Sequence, residues 1–103
     1  MSPNVLVVEP YADLRSGIVA TLERRHFECD SVGTADAAAL KLREHDYAYV
    51  VVDVDPSTEA FVSSLDPDAH VILLSDDARQ ARTNDFAVLQ KPFSRDELLA
   101  QFR

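Results

Sequence analysis

Four residues of this chain have side chains and settings that suit chemistry: Glu9, Asp53, Ser75 and Lys91. Three of them close a short apolar run: Val5-Leu6-Val7-Val8 ends on Glu9, Val50-Val51-Val52 on Asp53, and Val71-Ile72-Leu73-Leu74 on Ser75. Lys91 follows Phe86-Ala87-Val88-Leu89 and Gln90. An aspartate carboxylate can attack phosphorus and form an acyl phosphate. Transfer of that kind is mostly positioning and charge neutralisation, usually with a divalent ion. Lysine supplies a point charge to a phosphoryl oxygen or an acid, and a serine hydroxyl donates a hydrogen bond. Magnesium asks for one or two carboxylates and several waters.

Unbroken apolar runs of this length read as strands buried on both faces, because a strand with one wet face alternates. Such strands need helices above and below, hence a parallel sheet in an α/β domain. Sites in open sheets of this kind form outside the carboxyl ends of the strands, where these four residues stand. Between the runs the pattern turns helical. From Ala12 to His26, Leu14, Ile18 and Leu22 share a face with Val19 beside them. Thr34 caps a helix over 35–44 that is rich in strong helix formers. Asp55 as cap with Pro56 as first helical residue predicts a third helix, with Ala60, Phe61, Ser64 and Leu65 as its face. Ser94 and Glu97 form a capping box ahead of Leu98, Leu99 and Phe102.

Phe27-Glu28-Cys29-Asp30-Ser31-Val32 alternates, which suits an edge strand. A fourth helical segment over 77–82 is short and nearly all polar, and Asp76-Asp77 reads as its cap pair. Parallel strands need crossovers of about a dozen residues, so the third and fourth crossovers, 54–69 and 76–85, hold only short helices.

The 103 residues make one domain, 1–103, and 47% of them are apolar, enough for a core. A formal net charge of -8 argues against nucleic acid and against anionic membranes. A single cysteine, Cys29, forms no disulfide framework and fits a reducing, cytoplasmic setting. No stretch is long enough to span a membrane. His26, His45 and His70 are scattered without metal spacing.

The ordered set Val5–Glu9, Val50–Asp53, Val71–Ser75 and Lys91-Pro92-Phe93 resembles the receiver domain of bacterial response regulators, and the resemblance covers the whole chain. It implies a flavodoxin-like, doubly wound sheet of five parallel strands in the order 2-1-3-4-5. It implies that Asp53 is the phospho-acceptor, that Ser75 is the switch hydroxyl, and that Lys91 binds phosphate beside it. It further implies a cis Lys91-Pro92 peptide. Magnesium would sit on Glu9 and Asp53, with Asp55 as a further carboxylate. The implied partners are a histidine kinase or a downstream output protein or domain, and a homodimer is compatible with it.

The chain departs from the family pattern at the site. Pro10 stands where a second acid follows the first strand, so magnesium is expected to bind weakly or not at all, with Asp55 and Asp76 as the acids in reserve. Asp76 replaces a small residue after the switch hydroxyl. Val88 replaces an aromatic three residues before the lysine. These changes favour an atypical receiver that works through protein contacts independent of phosphorylation, and not an enzyme. The alternative is a conventional receiver phosphorylated on Asp53. A small α/β enzyme or nucleotide binder is a further alternative. It is disfavoured because Gly17 and Gly33 are the only glycines and neither sits in a phosphate-cradling loop.

Overall fold

The computed structural model describes residues 4–66, 68–77 and 86–102. The elements in order are β1 (Val5–Val8), α1 (Ala12–Glu23), β2 (Cys29–Val32), α2 (Ala35–Glu44), β3 (Tyr49–Asp53), α3 (Glu59–Ser64), β4 (His70–Ser75), β5 (Ala87–Gln90) and α4 (Arg95–Ala100). The five strands form one sheet in the order β2-β1-β3-β4-β5, with every neighbouring pair parallel. That is the order the resemblance implied. The helical segment expected over 77–82 lies outside the described residues, apart from Asp77.

Successive side chains of a strand point to opposite faces, and the core divides accordingly. Val5 and Val7 of β1, Val51, Ile72 and Leu74 face α1 and α4, where Ile18, Leu22, Leu98 and Phe102 complete one layer. Leu6 and Val8 of β1, Val50, Val52, Val71 and Leu73 face the other way, onto Ala38 of α2 and Phe61 and Val62 of α3. Each fully buried aliphatic side chain contributes roughly 1.5–3 kcal/mol. Ile72, completely buried in the middle of β4, is a position where truncation to alanine should cost about 2–5 kcal/mol.

β2 begins at Cys29 and β5 spans Ala87–Gln90, each shifted by a residue or two from its run, and two helix boundaries differ from the sequence reading. α1 ends at Glu23, not His26. Leu22 is its last core residue, and Arg24, Arg25 and His26 are exposed, so nothing rewards another turn. His26 instead takes a left-handed backbone (φ 70), and the Phe27 N–H returns to the Leu22 carbonyl at 3.2 Å.

The third helix starts at Glu59 with Thr58 as its cap, and Asp55 and Pro56 lie in the turn before it. Asp55 accepts a hydrogen bond from the Ser57 N–H, two residues on, at 2.7 Å. This is the local turn that aspartate favours as an alternative to a helix cap. The buried face is Phe61 and Val62, and Ala60 and Ser64 are exposed.

Candidate functional site

The strand register brings the site together. Val8, the last residue of β1, lies opposite Val52, so Glu9 and Asp53 emerge side by side. Asp53 pairs with Leu74, and Ser75 pairs with Gln90, the residue before Lys91. The Lys91 N–H donates to the Ser75 carbonyl at 2.8 Å, which fixes the start of the Lys91 side chain beside β4. The Lys91-Pro92 peptide is cis, as the resemblance implied.

From there Lys91 reaches back across the sheet. Its Nζ donates to Glu9 Oε1 at 2.8 Å and to Asp53 Oδ1 at 2.6 Å. Glu9 is completely buried, and the Asp53 side chain is 10% exposed. Burial lifts both carboxyls above their ordinary values, and Lys91 only partly pulls them back. Each also feels a neighbouring acid: Asp53 and Asp76 act on Glu9, and Asp55 acts on Asp53. Burial alone would lower Lys91, but its bonds to Asp53 and Glu9 outweigh that and raise it. The Tyr11 ring, 70% exposed, lies with its centroid 5.8 Å from Nζ, within cation–π range.

Ser75 is 1% exposed, and its hydroxyl is engaged locally. It donates to the Asp77 carbonyl at 2.7 Å and accepts from the Asp77 N–H at 3.1 Å. Asp77 therefore serves Ser75 through its backbone. Asp76 is exposed. Val88 is half-buried, opposite Leu73 in the sheet, and packs with Phe86 on the α2–α3 side.

Asp55 stays near Asp53, but its carboxylate is held below the usual range, chiefly by its hydrogen bond to the Ser57 hydroxyl. Sequence reasoning missed Thr58. It is 3% exposed, and its hydroxyl donates to the Asp53 carbonyl at 2.7 Å and accepts from the Asp55 N–H at 3.0 Å. It missed Arg15 as well, whose Nη1 donates to the Glu9 carbonyl at 2.8 Å. Arg15 lies one turn after Tyr11, and helical side chains lean toward the N-terminus, which is the signal that could have placed it at the strand end.

The residues present make a poor magnesium site. Pro10 offers no side-chain donor, and Lys91 already occupies one oxygen of each of the two central carboxylates. The other Glu9 oxygen, Oε2, is buried without a hydrogen-bond partner, away from the water a magnesium ion keeps. Among the described residues, no group of three or more histidine, cysteine or carboxylate side chains is placed to hold a metal ion.

Solved structures decide the fold. The chemotaxis response regulator CheY4 of Vibrio cholerae superposes with a TM-score of 0.87 over 99% of this chain and 97% of that one, at 18% identity. This is the receiver-domain fold. A response regulator receiver protein from Sinorhizobium medicae gives a TM-score of 0.84 at 21% identity, covering 97% of this chain and 90% of its own. The receiver TrrA of Thermotoga maritima, solved with magnesium and beryllofluoride, gives 0.80 at 21% identity, covering 98% and 96%. No protein-family model matches the chain, and no curated protein matches it in sequence. Asp53 and Ser75 end β3 and β4, and Lys91 follows the edge strand β5. No helix among the described residues is long and apolar enough to cross a membrane.

Proposed function

We propose that this chain is a receiver-like signalling module whose protein contacts do not depend on phosphorylation of Asp53. Fold alone does not assign function, so the reading rests on the site. The observation that carries it is the double ion pair of Lys91. One ammonium spans Glu9 and Asp53 at 2.8 and 2.6 Å, so a single cation already engages both central carboxylates. Two further features support it. Pro10 removes a ligand, and the Ser75 hydroxyl is closed in a turn on Asp77. Drawing that hydroxyl toward Asp53 would break a local hydrogen bond, at about 0.5–1.5 kcal/mol. Val88 has no ring to follow the movement. The partners implied are a histidine kinase or a downstream output protein or domain, and the module itself turns over no substrate.

The conventional reading is favoured by one observation, the 2.6 Å contact between Lys91 and Asp53. In that reading Asp53 attacks the phosphorus of a phosphohistidine. The new O–P bond forms as the P–N bond breaks, and the electron pair stays on the imidazole nitrogen. The two readings separate on partner affinity, measured for wild type, Asp53→Ala and beryllofluoride-treated protein. Independence predicts three equal affinities. A difference above about tenfold, or 1.4 kcal/mol, between treated and untreated wild type establishes the conventional switch.

A further inference from the structure

A cleft of about 340 Å³ opens beside Lys91, lined by Leu14, Asp76, Lys91, Pro92 and Phe93. Its size lies in the usual range of small-molecule pockets, roughly 300–1,000 Å³. Leu14, Pro92 and Phe93 give it apolar walls, and Asp76 and Lys91 are its only charged lining residues. Apolar walls with a few convergent polar groups are the ordinary make-up of a ligand site.

Both charged groups have bonding capacity that the fold leaves unused. An ammonium has three donors. Lys91 gives one to Glu9 Oε1 and one to Asp53 Oδ1, and no acceptor for the third stands among the described residues. The Lys91 side chain is 11% exposed, so that donor has little water to turn to. Asp76 is exposed and joins no ion pair or side-chain hydrogen bond among the described residues. Tyr11 stands beside the cleft, with its ring centroid 5.8 Å from Lys91 Nζ. It occupies the N-cap of α1 and makes no side-chain cap bond there, where Ser, Thr, Asn or Asp would satisfy an N–H. Its ring is 70% exposed, so burial in the fold does not account for it either.

These groups restrict what fits. Three carboxylates, Glu9, Asp53 and Asp76, act on the site against one ammonium, so an anion is repelled. A cation meets the Lys91 ammonium, the more buried of the two lining charges. An uncharged guest with an acceptor for Lys91 and a donor for Asp76 satisfies both. A primary carboxamide carries that acceptor and that donor on adjacent atoms. A flat ring behind it suits the apolar walls and the face of Tyr11.

We infer that this cleft binds a small uncharged aromatic carboxamide, with its carbonyl on the third Lys91 donor, its amide N–H toward Asp76 and its ring among Leu14, Phe93 and Tyr11. The inference deepens the reading of a module independent of phosphorylation and rests on it. A guest that bonds to Lys91 gives the site an input that involves no transfer to Asp53.

The probe is benzamide, with benzoate and benzylamine as charged twins of similar shape. Binding is followed by the amide shifts of Leu14, Asp76 and Phe93. Benzamide should bind saturably with a dissociation constant of about 0.1–10 mM, the range for a ligand this small. Both twins should bind more weakly by about threefold or more. Tyr11→Ala and Asp76→Ala alter exposed side chains and should keep the fold. Each should weaken benzamide by about threefold or more. Asp76→Ala should also narrow the gap between benzoate and benzamide, because it removes a carboxylate.

The inference is overturned by absence of saturable shifts, by either twin binding as tightly as benzamide, or by indifference to either variant. Partner affinity with and without beryllofluoride tests the functional reading separately. Failure of benzamide to bind, with partner affinities equal, sinks the cleft alone. Benzamide binding together with a beryllofluoride effect above about tenfold leaves the cleft standing and sinks phosphorylation independence.

Discussion

Lys91 Nζ and Asp53 Oδ1 stand 2.6 Å apart, joined across the carboxyl edge of the sheet from strands separated by β4. The same ammonium holds Glu9, so three side chains share two negative charges and one positive charge in a site almost closed to water. Removing the cation leaves two buried carboxylates facing each other. Lys91→Ala should therefore lower stability by about 1–3 kcal/mol, the range for a buried charged group stripped of its partner. Urea denaturation reads this directly, and an unchanged midpoint would contradict it.

The pH dependence follows from the directions of the shifts. Burial raises Glu9 and Asp53 in the folded chain. The folded state then holds protons that the unfolded state has released, and stability falls as pH rises from the ordinary carboxylate value of about 4 through the raised values. Asp55 runs the other way: its contribution is present above its ordinary value and lost as pH falls through its lowered one. Lys91 stabilises below the ordinary ammonium value of about 10.4, and that contribution is lost as pH climbs past its raised one. Glu9→Gln removes one buried acid and leaves the Lys91–Asp53 pair balanced. Relative to wild type, its stability should improve between about pH 4 and 7. A difference that stays constant across that span would count against the buried charge on Glu9.

Thr58 offers a separate test, because its hydroxyl satisfies both the Asp53 carbonyl and the Asp55 N–H. Thr58→Val keeps the shape and strips both bonds. It should cost about 1–3 kcal/mol, the penalty for buried polar groups left unpaired, and Thr58→Ser should recover most of it. Equal stability of the valine and serine variants would show that the hydroxyl holds nothing.

Much of this site could be read from the sequence, because each strand is an unbroken apolar run that stops at a polar residue. Glu9, Asp53 and Ser75 were therefore placed by periodicity alone, and Lys91 by the run before it. The loop after β3 was not legible. Asp55-Pro56-Ser57 carries the signals of a helix start and of a turn equally well, and only the Ser57 N–H on Asp55 decides between them. Thr58 looked like any loop hydroxyl, since its burial comes from the sheet edge it closes. Arg15 on the Glu9 carbonyl was signalled only by its place one turn after Tyr11 and by the lean of helical side chains toward the N-terminus. The Ser75 turn onto the Asp77 backbone is a choice between a local and a distant partner, and the local one wins.

Magnesium should leave the thermal midpoint unchanged at physiological concentration. An ion present at a hundredfold excess over its dissociation constant would add about 2.7 kcal/mol. A clear rise in midpoint on adding magnesium would show that Glu9, Asp53 and Asp55 hold it despite Pro10 and Lys91.

The central claim is that nothing done at Asp53 reaches the rest of the domain. Its most direct test is a titration of the folded protein with beryllofluoride and magnesium, followed by amide chemical shifts. The account predicts changes confined to the loops of Glu9 and Asp53, with the Ser75–Asp77 turn intact and with Phe86, Val88 and Leu89 of the β5 edge unmoved. A second set of peaks for Ser75, Asp77 and Val88 that grows with the titration would show a surviving two-state switch and contradict the account.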